Sequence, residues 1–329
     1  YLVDTSETIN ALSGGGTVQL FPGGTSSTLT IGSDGGTATF SGIIQNNGAG
    51  GATLSLVKAG SGLQTLSGNN TNTDSTTVLA GTLSFTGSVA QYDSGNATLT
   101  GGTWNVLGGT LNFPSGNDIT TIGSGANVTL SGAAAVFNRL GASLNTIQGG
   151  FTLLNGRSFP TASHLINSGT VFVGTGSTLS ATGTYTQSAG STTVNGVLDS
   201  TTTNAVTING GTLNGTGTIP AYVTNAGTVS PGNSPGIITI DGDYTQSSGG
   251  TLNIEIQGTS PNNPIDFDQL IVNGTVSLAG ALSTTLLGGF VPSTGNSFKI
   301  IDNDLTDPVS GTFTGLGQNA TFQLGGYTF

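Results

Sequence analysis

The sequence predicts an all-β chain wound as a parallel β-helix, or β-solenoid, and three observations carry that prediction. Short runs alternate apolar and polar residues with a period of two, as in Thr28-Leu29-Thr30-Ile31, Thr53-Leu54-Ser55-Leu56-Val57, Asn127-Val128-Thr129-Leu130 and Thr251-Leu252-Asn253-Ile254-Glu255-Ile256. Each run is bounded by Gly, Asn, Ser or Asp, which is how short strands and their turns read. Glycine (57), threonine (56), serine (35) and asparagine (28) dominate the 329 residues, while only 4 basic and 15 acidic side chains are present. Surface helices need charged faces, so a helical fold is excluded on composition. Finally, the chain repeats itself without helices: Asn167-Ser168-Gly169-Thr170-Val171 returns as Asn225-Ala226-Gly227-Thr228-Val229, and Tyr185-Thr186-Gln187-Ser188 as Tyr244-Thr245-Gln246-Ser247. A repeat that cannot bury its apolar face alone must stack on the next, which points to a solenoid rather than a sandwich.

Taken in order, the first ~50 residues show strand-and-turn pattern without a clear repeat. A Gly-Thr-apolar refrain then punctuates the chain, at Gly81, Gly109, Gly211, Gly227 and Gly250 among others. Glycine supplies the turn, and threonine with its apolar partner starts the strand. With roughly 20 residues per coil and strands ~4.8 Å apart, about 16 coils give an elongated rod about 75 Å long. Residues 1–329 are expected to form one domain. The best candidate for a sub-boundary is ~258–268, where Ser260-Pro261-Asn262-Asn263-Pro264 reads as a protruding loop. Residues 269–329 continue as strands, for example at Lys299-Ile300-Ile301-Asp302.

Several function classes fall away. A net charge of −11 with four basic residues (Lys58, Arg139, Arg157, Lys299) cannot neutralise a phosphate backbone, so nucleic acid is not an expected partner. Cysteine is absent, which removes disulfides, thiol nucleophiles and thiolate metal sites. No 18-residue apolar run marks a transmembrane segment. The opening Tyr1-Leu2-Val3 is expected of a processed or excised mature chain.

Residues 56–85, from Leu56-Val57-Lys58-Ala59-Gly60 through Leu66-Ser67-Gly68-Asn69-Asn70 to Gly81-Thr82-Leu83-Ser84-Phe85, resemble the passenger-associated β-strand repeat of bacterial autotransporters. Residues 209–256 look like the C-terminal part of such passengers, with Gly227-Thr228-Val229-Ser230-Pro231-Gly232-Asn233-Ser234-Pro235-Gly236 at their centre, and Asp268-Gln269-Leu270-Ile271-Val272-Asn273-Gly274 continues the likeness. The resemblance covers about half of the chain. It implies a single-stranded, right-handed β-helix exported to the bacterial cell surface or beyond; the handedness comes from the family alone. It does not extend to that family's membrane-spanning barrel, so the export route stays open.

No chemical constellation stands out. Glycoside hydrolysis needs clustered carboxylates, and the nearest local pairs are Asp241/Asp243 and Asp266/Asp268. The first sits where the earlier repeat has Thr182-Gly183-Thr184, so a turn role is expected; the second alternates around Phe267, which would place both carboxylates on one face. The only histidine, His164, lies in a polar turn with no nucleophile elbow. Calcium is the most plausible ion for an oxygen-rich extracellular chain, and Asp302, Asp304 and Asp307 with Asn303 form the densest candidate cluster, though a solvated acidic loop is the plainer reading. Trp104 and the phenylalanines could stack on sugars if outward-facing, but Phe40, Phe85, Phe113, Phe151 and Phe172 occupy apolar strand positions and are expected in the core. Thr-x-Thr pairs such as Thr28/Thr30, Thr37/Thr39, Thr98/Thr100 and Thr216/Thr218 suggest an ice-binding face, but their irregular spacing argues against a lattice match. The sequence therefore points to a non-enzymatic extracellular structural protein, without catalytic or cofactor-binding residues, that self-associates into filaments. Tyr1–Leu12 and Ala320–Phe329 would pair onto a neighbour. A monomeric autotransporter-type adhesin engaging cell-surface or matrix glycans and a polysaccharide-active enzyme are the alternatives.

Overall fold

A computed structural model of the chain describes residues 2, 3, 5–22, 24–46, 50–262, 265–304 and 307–329, Leu2 by its backbone alone. Tyr1, expected at a pairing terminus, and Asn263 and Pro264, expected in the protruding loop, lie outside the described residues. Among the described residues there is no helix, hence none long and apolar enough to cross a membrane. Strands stack in parallel register, as a β-solenoid requires. The chain divides into two compact units, Tyr1–Phe159 and Pro160–Phe329. The segment 258–268 lies inside the second unit.

In the first unit one stack runs through Glu7–Ile9, Ser27–Ile31, Leu54–Lys58, Thr76–Val78, Thr98–Val106 and Thr121–Ser131. Beside it lies a stack of Ala38–Phe40, Leu63–Leu66, Thr82–Phe85, Thr110–Asn112 and Val136–Phe137. Alternation decides which side chains enter: Leu29, Leu56, Leu66, Leu83 and Leu111 are all fully buried. Each such burial is worth about 1.5–3 kcal/mol. Trp104 is buried too, edge-on to Phe113 with ring centroids 4.9 Å apart and to Phe85 at 6.4 Å. It therefore belongs to the core and offers no sugar platform. Lys58 occupies an inward position between Ile31 and Val78, fully buried, its ammonium donating to the carbonyls of Ala59 and, at 2.8 Å, Gly60. Burial lowers its pKa.

In the second unit each coil contributes three strands to three stacks. The first stack holds Leu165–Asn167, Tyr185–Gln187, Ala205–Ile208, Tyr222–Asn225, Tyr244–Gln246, Val276–Leu278 and Ser310–Gly311. The middle stack holds Thr170–Val173, Ser191–Val194, Thr212–Gly215, Thr228–Pro231, Thr251–Ile256 and Ala281–Leu286. The third runs from Thr178–Ala181 through Val197–Ser200, Thr218–Ile219, Ile237–Ile240 and Gln269–Val272 to Ile301–Asn303. Tyr185 lies on Val206, Val206 on Val223, Val223 on Tyr244 and Tyr244 on Val276, so successive coils take 21, 17, 21 and 32 residues. The repeat at offsets of 58 and 59 seen in the sequence is thus three coils long.

Coil length varies while register does not, because the surplus residues leave at the corners. The 32-residue coil from Tyr244 to Val276 places 257–262 and 265–266 outside the stacks, closed by Gln257 N–H donating to Asp266 O at 2.7 Å and Asp266 N–H to Ser260 O at 2.8 Å. Tight corners need glycine: Gly190 has φ +68°, and a Cβ there would sit 1.9 Å from Gly169 O. One expectation for the core fails. Phe172 alternates with the buried Val171 and Val173, which turns its ring outward and leaves it half-buried.

Candidate functional site

All but one of the sequence-predicted catalytic candidates are engaged in holding coils together; the exception, Asp266, bonds within its own loop. Asp241 Oδ1 accepts Asn273 Nδ2–H at 2.8 Å, and Asp243 Oδ1 accepts Thr275 N–H at 2.8 Å, so both carboxylates tie one coil to the next. His164 Nδ1 accepts Thr184 N–H at 2.9 Å from its exposed turn, and no described carboxylate orients the imidazole. Asp302 is ion-paired with Lys299 at 3.0 Å, and Asp307 Oδ1 accepts Asn303 Nδ2–H at 3.2 Å. Among the described residues no group of three or more acidic or histidine side chains gathers around a point that would hold a metal. Asp302, Asp304 and Asp307 are not brought together in that way.

The pair Asp266/Asp268 departs from the alternation read in the sequence, because Asp266-Phe267-Asp268 is loop and not strand. Phe267 turns inward to pack edge-on against Phe298, centroids 5.4 Å apart. Asp266 Oδ2 accepts Ser260 N–H at 3.1 Å within the loop. Asp268 is fully buried; its Oδ1 accepts Gly236 N–H at 2.8 Å and its Oδ2 accepts Glu255 N–H at 2.9 Å. Loss of water around the carboxyl outweighs those two amide donors, and with the Glu255 charge nearby the pKa is pushed up to about 7. Asp268 is an anchor: one side chain fastens the turn before Ile237 and the end of the strand Thr251–Ile256 to the root of the long loop.

Inside the second unit the repeated motifs form buried polar clusters that composition could not reveal. Tyr185 Oη and Thr192 Oγ1 are 2.6 Å apart, Thr192 Oγ1 donates to Gln187 Oε1 at 2.5 Å, and Asn167 Nδ2 donates to Thr192 Oγ1 at 3.1 Å. Three coils on, Tyr244 Oη donates to Gln246 Oε1 at 2.9 Å and accepts from Asn225 Nδ2 at 3.2 Å. Asn167 Oδ1 accepts Gly169 N–H at 2.9 Å, whereas Asn225 Oδ1 finds no partner among the described residues. Burial raises the pKa of both tyrosines. These clusters are sealed from solvent, so they order the core and cannot meet a ligand.

What remains accessible is an edge. The strand Ala281–Leu286 pairs with Thr251–Ile256 and with no other strand among the described residues. Ala281 N–H donates to Gly250 O and Leu287 N–H to Ile256 O, both at 2.8 Å. Donors alternate sides along a strand, so the N–H groups of Leu282, Thr284 and Leu286 point away from the stack. Of the neighbouring stacks, the first is covered further by Ser310–Gly311, whereas the third ends at the same level on the shorter strand Ile301–Asn303. Beside the open edge lies a mostly apolar cavity of about 230 Å³ between Leu282, Ile256, Phe298, Phe322, Leu324 and Phe329. The inward side chains Leu282 and Leu286 are only half-buried, unlike Leu252 below, which is fully buried. No protein-family model, curated protein or solved structure matches the chain.

Proposed function

We propose that the chain is a non-enzymatic, extracellular structural protein, a β-solenoid subunit that self-associates into filaments by strand addition. The carrying observation is the open edge of Ala281–Leu286, six residues without charge or proline, beside half-buried leucines. Unpaired edges template pairing unless they are blocked. Forty-three residues follow Leu286 without any described strand being laid on that edge. The passenger-like motifs support placement at a bacterial surface or in its matrix, and the engagement of Asp241, Asp243, His164 and Asp268 in coil-to-coil bonds favours a mechanical role.

The test is electron microscopy of the purified chain, in calcium and in chelator, beside Thr284→Pro. The proline removes an N–H aimed at the open edge and leaves the bonds to Thr251–Ile256 in place. Filaments that the variant no longer forms support the reading. Isolated particles of the unaltered chain under both conditions overturn it.

A further inference from the structure

Coil-on-coil register creates an order on the second unit that the sequence conceals. On the outward side of the middle stack one column runs Thr170, Ser191, Thr212, Thr228, Thr251, each directly paired with the next. Two residues along each strand a second column starts at the outward Phe172 and passes through Thr193 and Asn214 to Ser230. It then reaches Asn253, whose Nδ2 donates to Ser230 Oγ at 3.1 Å. The intervening side chains are the buried ones, such as Leu213, Val229 and Leu252. From the strand Ser191–Val194 onward the result is a two-column grid of small uncharged polar groups on successive strands. Its members are 16 to 23 residues apart in sequence, and that irregular spacing is absorbed at the corners.

Two further features set the grid apart in a chain of net charge −11. The outward carboxylates Asp199 and Asp302 lie on the third stack, with Asp241 just past the end of one of its strands; the nearest charge along the middle stack is Glu255, beyond the second column. The hydroxyls of Ser191, Thr212, Thr228 and Thr251 make no hydrogen bond to any described residue. They are held at the strand spacing of ~4.8 Å, with the columns ~6.7 Å apart along the strand.

We propose that this grid binds ice. The strand spacing lies within a few tenths of an ångström of the oxygen repeat along the a axis of hexagonal ice, and the column spacing falls short of the c-axis repeat by about a tenth of its length. Threonine presents a hydroxyl that can join the lattice and a methyl that excludes disordered water. Its stiff χ1 means little side-chain freedom is lost on binding. Charged groups, which keep their own hydration shells, are missing where the lattice would sit. Between Ser191 and Asn253 the grid also carries no aromatic ring on which a sugar could stack. The inference is independent of filament formation.

The experiment measures thermal hysteresis and partition into a growing ice front for the full chain, for Thr212→Lys and Thr228→Lys made singly, and for Thr218→Lys on the third stack as control. Far-UV circular dichroism checks the fold of each. Ice partition well above that of a non-binding protein is expected, with hysteresis falling at least tenfold in either grid variant and unchanged in the control. Should a lysine variant misfold, Ser191→Asp at the rim of the grid takes its place with the same expectation. An unaltered chain excluded from ice overturns the proposal, as does hysteresis that survives the grid substitutions. Binding to microcrystalline cellulose or chitin with exclusion from ice overturns it in favour of a polysaccharide face.

Discussion

Raising the pH from 5 to 7 should loosen the second unit, and Asp268 is the reason. Its carboxyl titrates near pH 3.8 when exposed and at about 7 when buried beneath the long loop. A carboxyl with a raised folded pKa contributes stability that is fully present below the unfolded value and is lost as pH climbs through the folded one. Each pH unit well inside that range is worth about 1.4 kcal/mol, and the slope halves at the folded value, so the interval from pH 5 to 7 removes about 2 kcal/mol. Asp74 and Asp93, whose pKa values are lowered below 3.8, titrate beneath that window and leave it undisturbed. The assay is urea unfolding at pH 5, 6, 7 and 8, with hydrogen exchange at the Gly236 and Glu255 amides locating the effect. Asp268→Asn should abolish the slope and cost about 1–3 kcal/mol at pH 5, because its amide sets N–H against one of the two backbone donors. A midpoint that stays flat or rises between pH 5 and 7, or a slope kept by Asp268→Asn, refutes the reasoning.

The two polar clusters predict an order of sensitivity. Tyr244→Phe takes from Gln246 Oε1 its only described donor and should cost about 1–3 kcal/mol. Tyr185→Phe should cost less, since Thr192 still donates to Gln187 Oε1; equal losses in urea titrations would contradict the assigned networks. Gly190→Ala meets Gly169 O at 1.9 Å as well as a left-handed backbone and should cost about 3 kcal/mol. Gly176→Ala, with φ +73° and open space around it, should cost about 1 kcal/mol, and midpoints that fail to separate the pair would show that corner contact is irrelevant.

Strands and corners were legible in the sequence because each strand states its own alternation and each corner its own glycine, both purely local signals, while the stacking of coils was legible only through the return of Asn167–Val171 at Asn225–Val229. Their periodicity was less so. The 58- and 59-residue offsets between Asn167 and Asn225 and between Tyr185 and Tyr244 are visible, yet three coils of 21, 17 and 21 residues hide the unit of repetition. The threonine column from Thr212 to Thr251 was invisible for the same reason: only hydrogen-bonded register reveals which residues are neighbours. Phe172 looked like core because its flanking valines are apolar, and alternation sends it the other way. Asp268 left no local mark either, since burial of its carboxyl depends on Gly236, 32 residues earlier. The open edge of Ala281–Leu286 depends on what later residues fail to cover, which no pattern within those six states.

The corner loop at 257–266 has a consequence for how such a chain can change length. Its two ends are bonded to each other through Gln257 and Asp266, and Asp268 pins its root from below. Sequence inserted between those ends would add contour without shifting any stacked pair, so the solenoid behaves like a bound ledger whose tabs can be swapped while the pages stay aligned. A foreign peptide spliced between Gly258 and Ile265 would be displayed on a tether fixed at both feet, with the strands on either side unaware of its length.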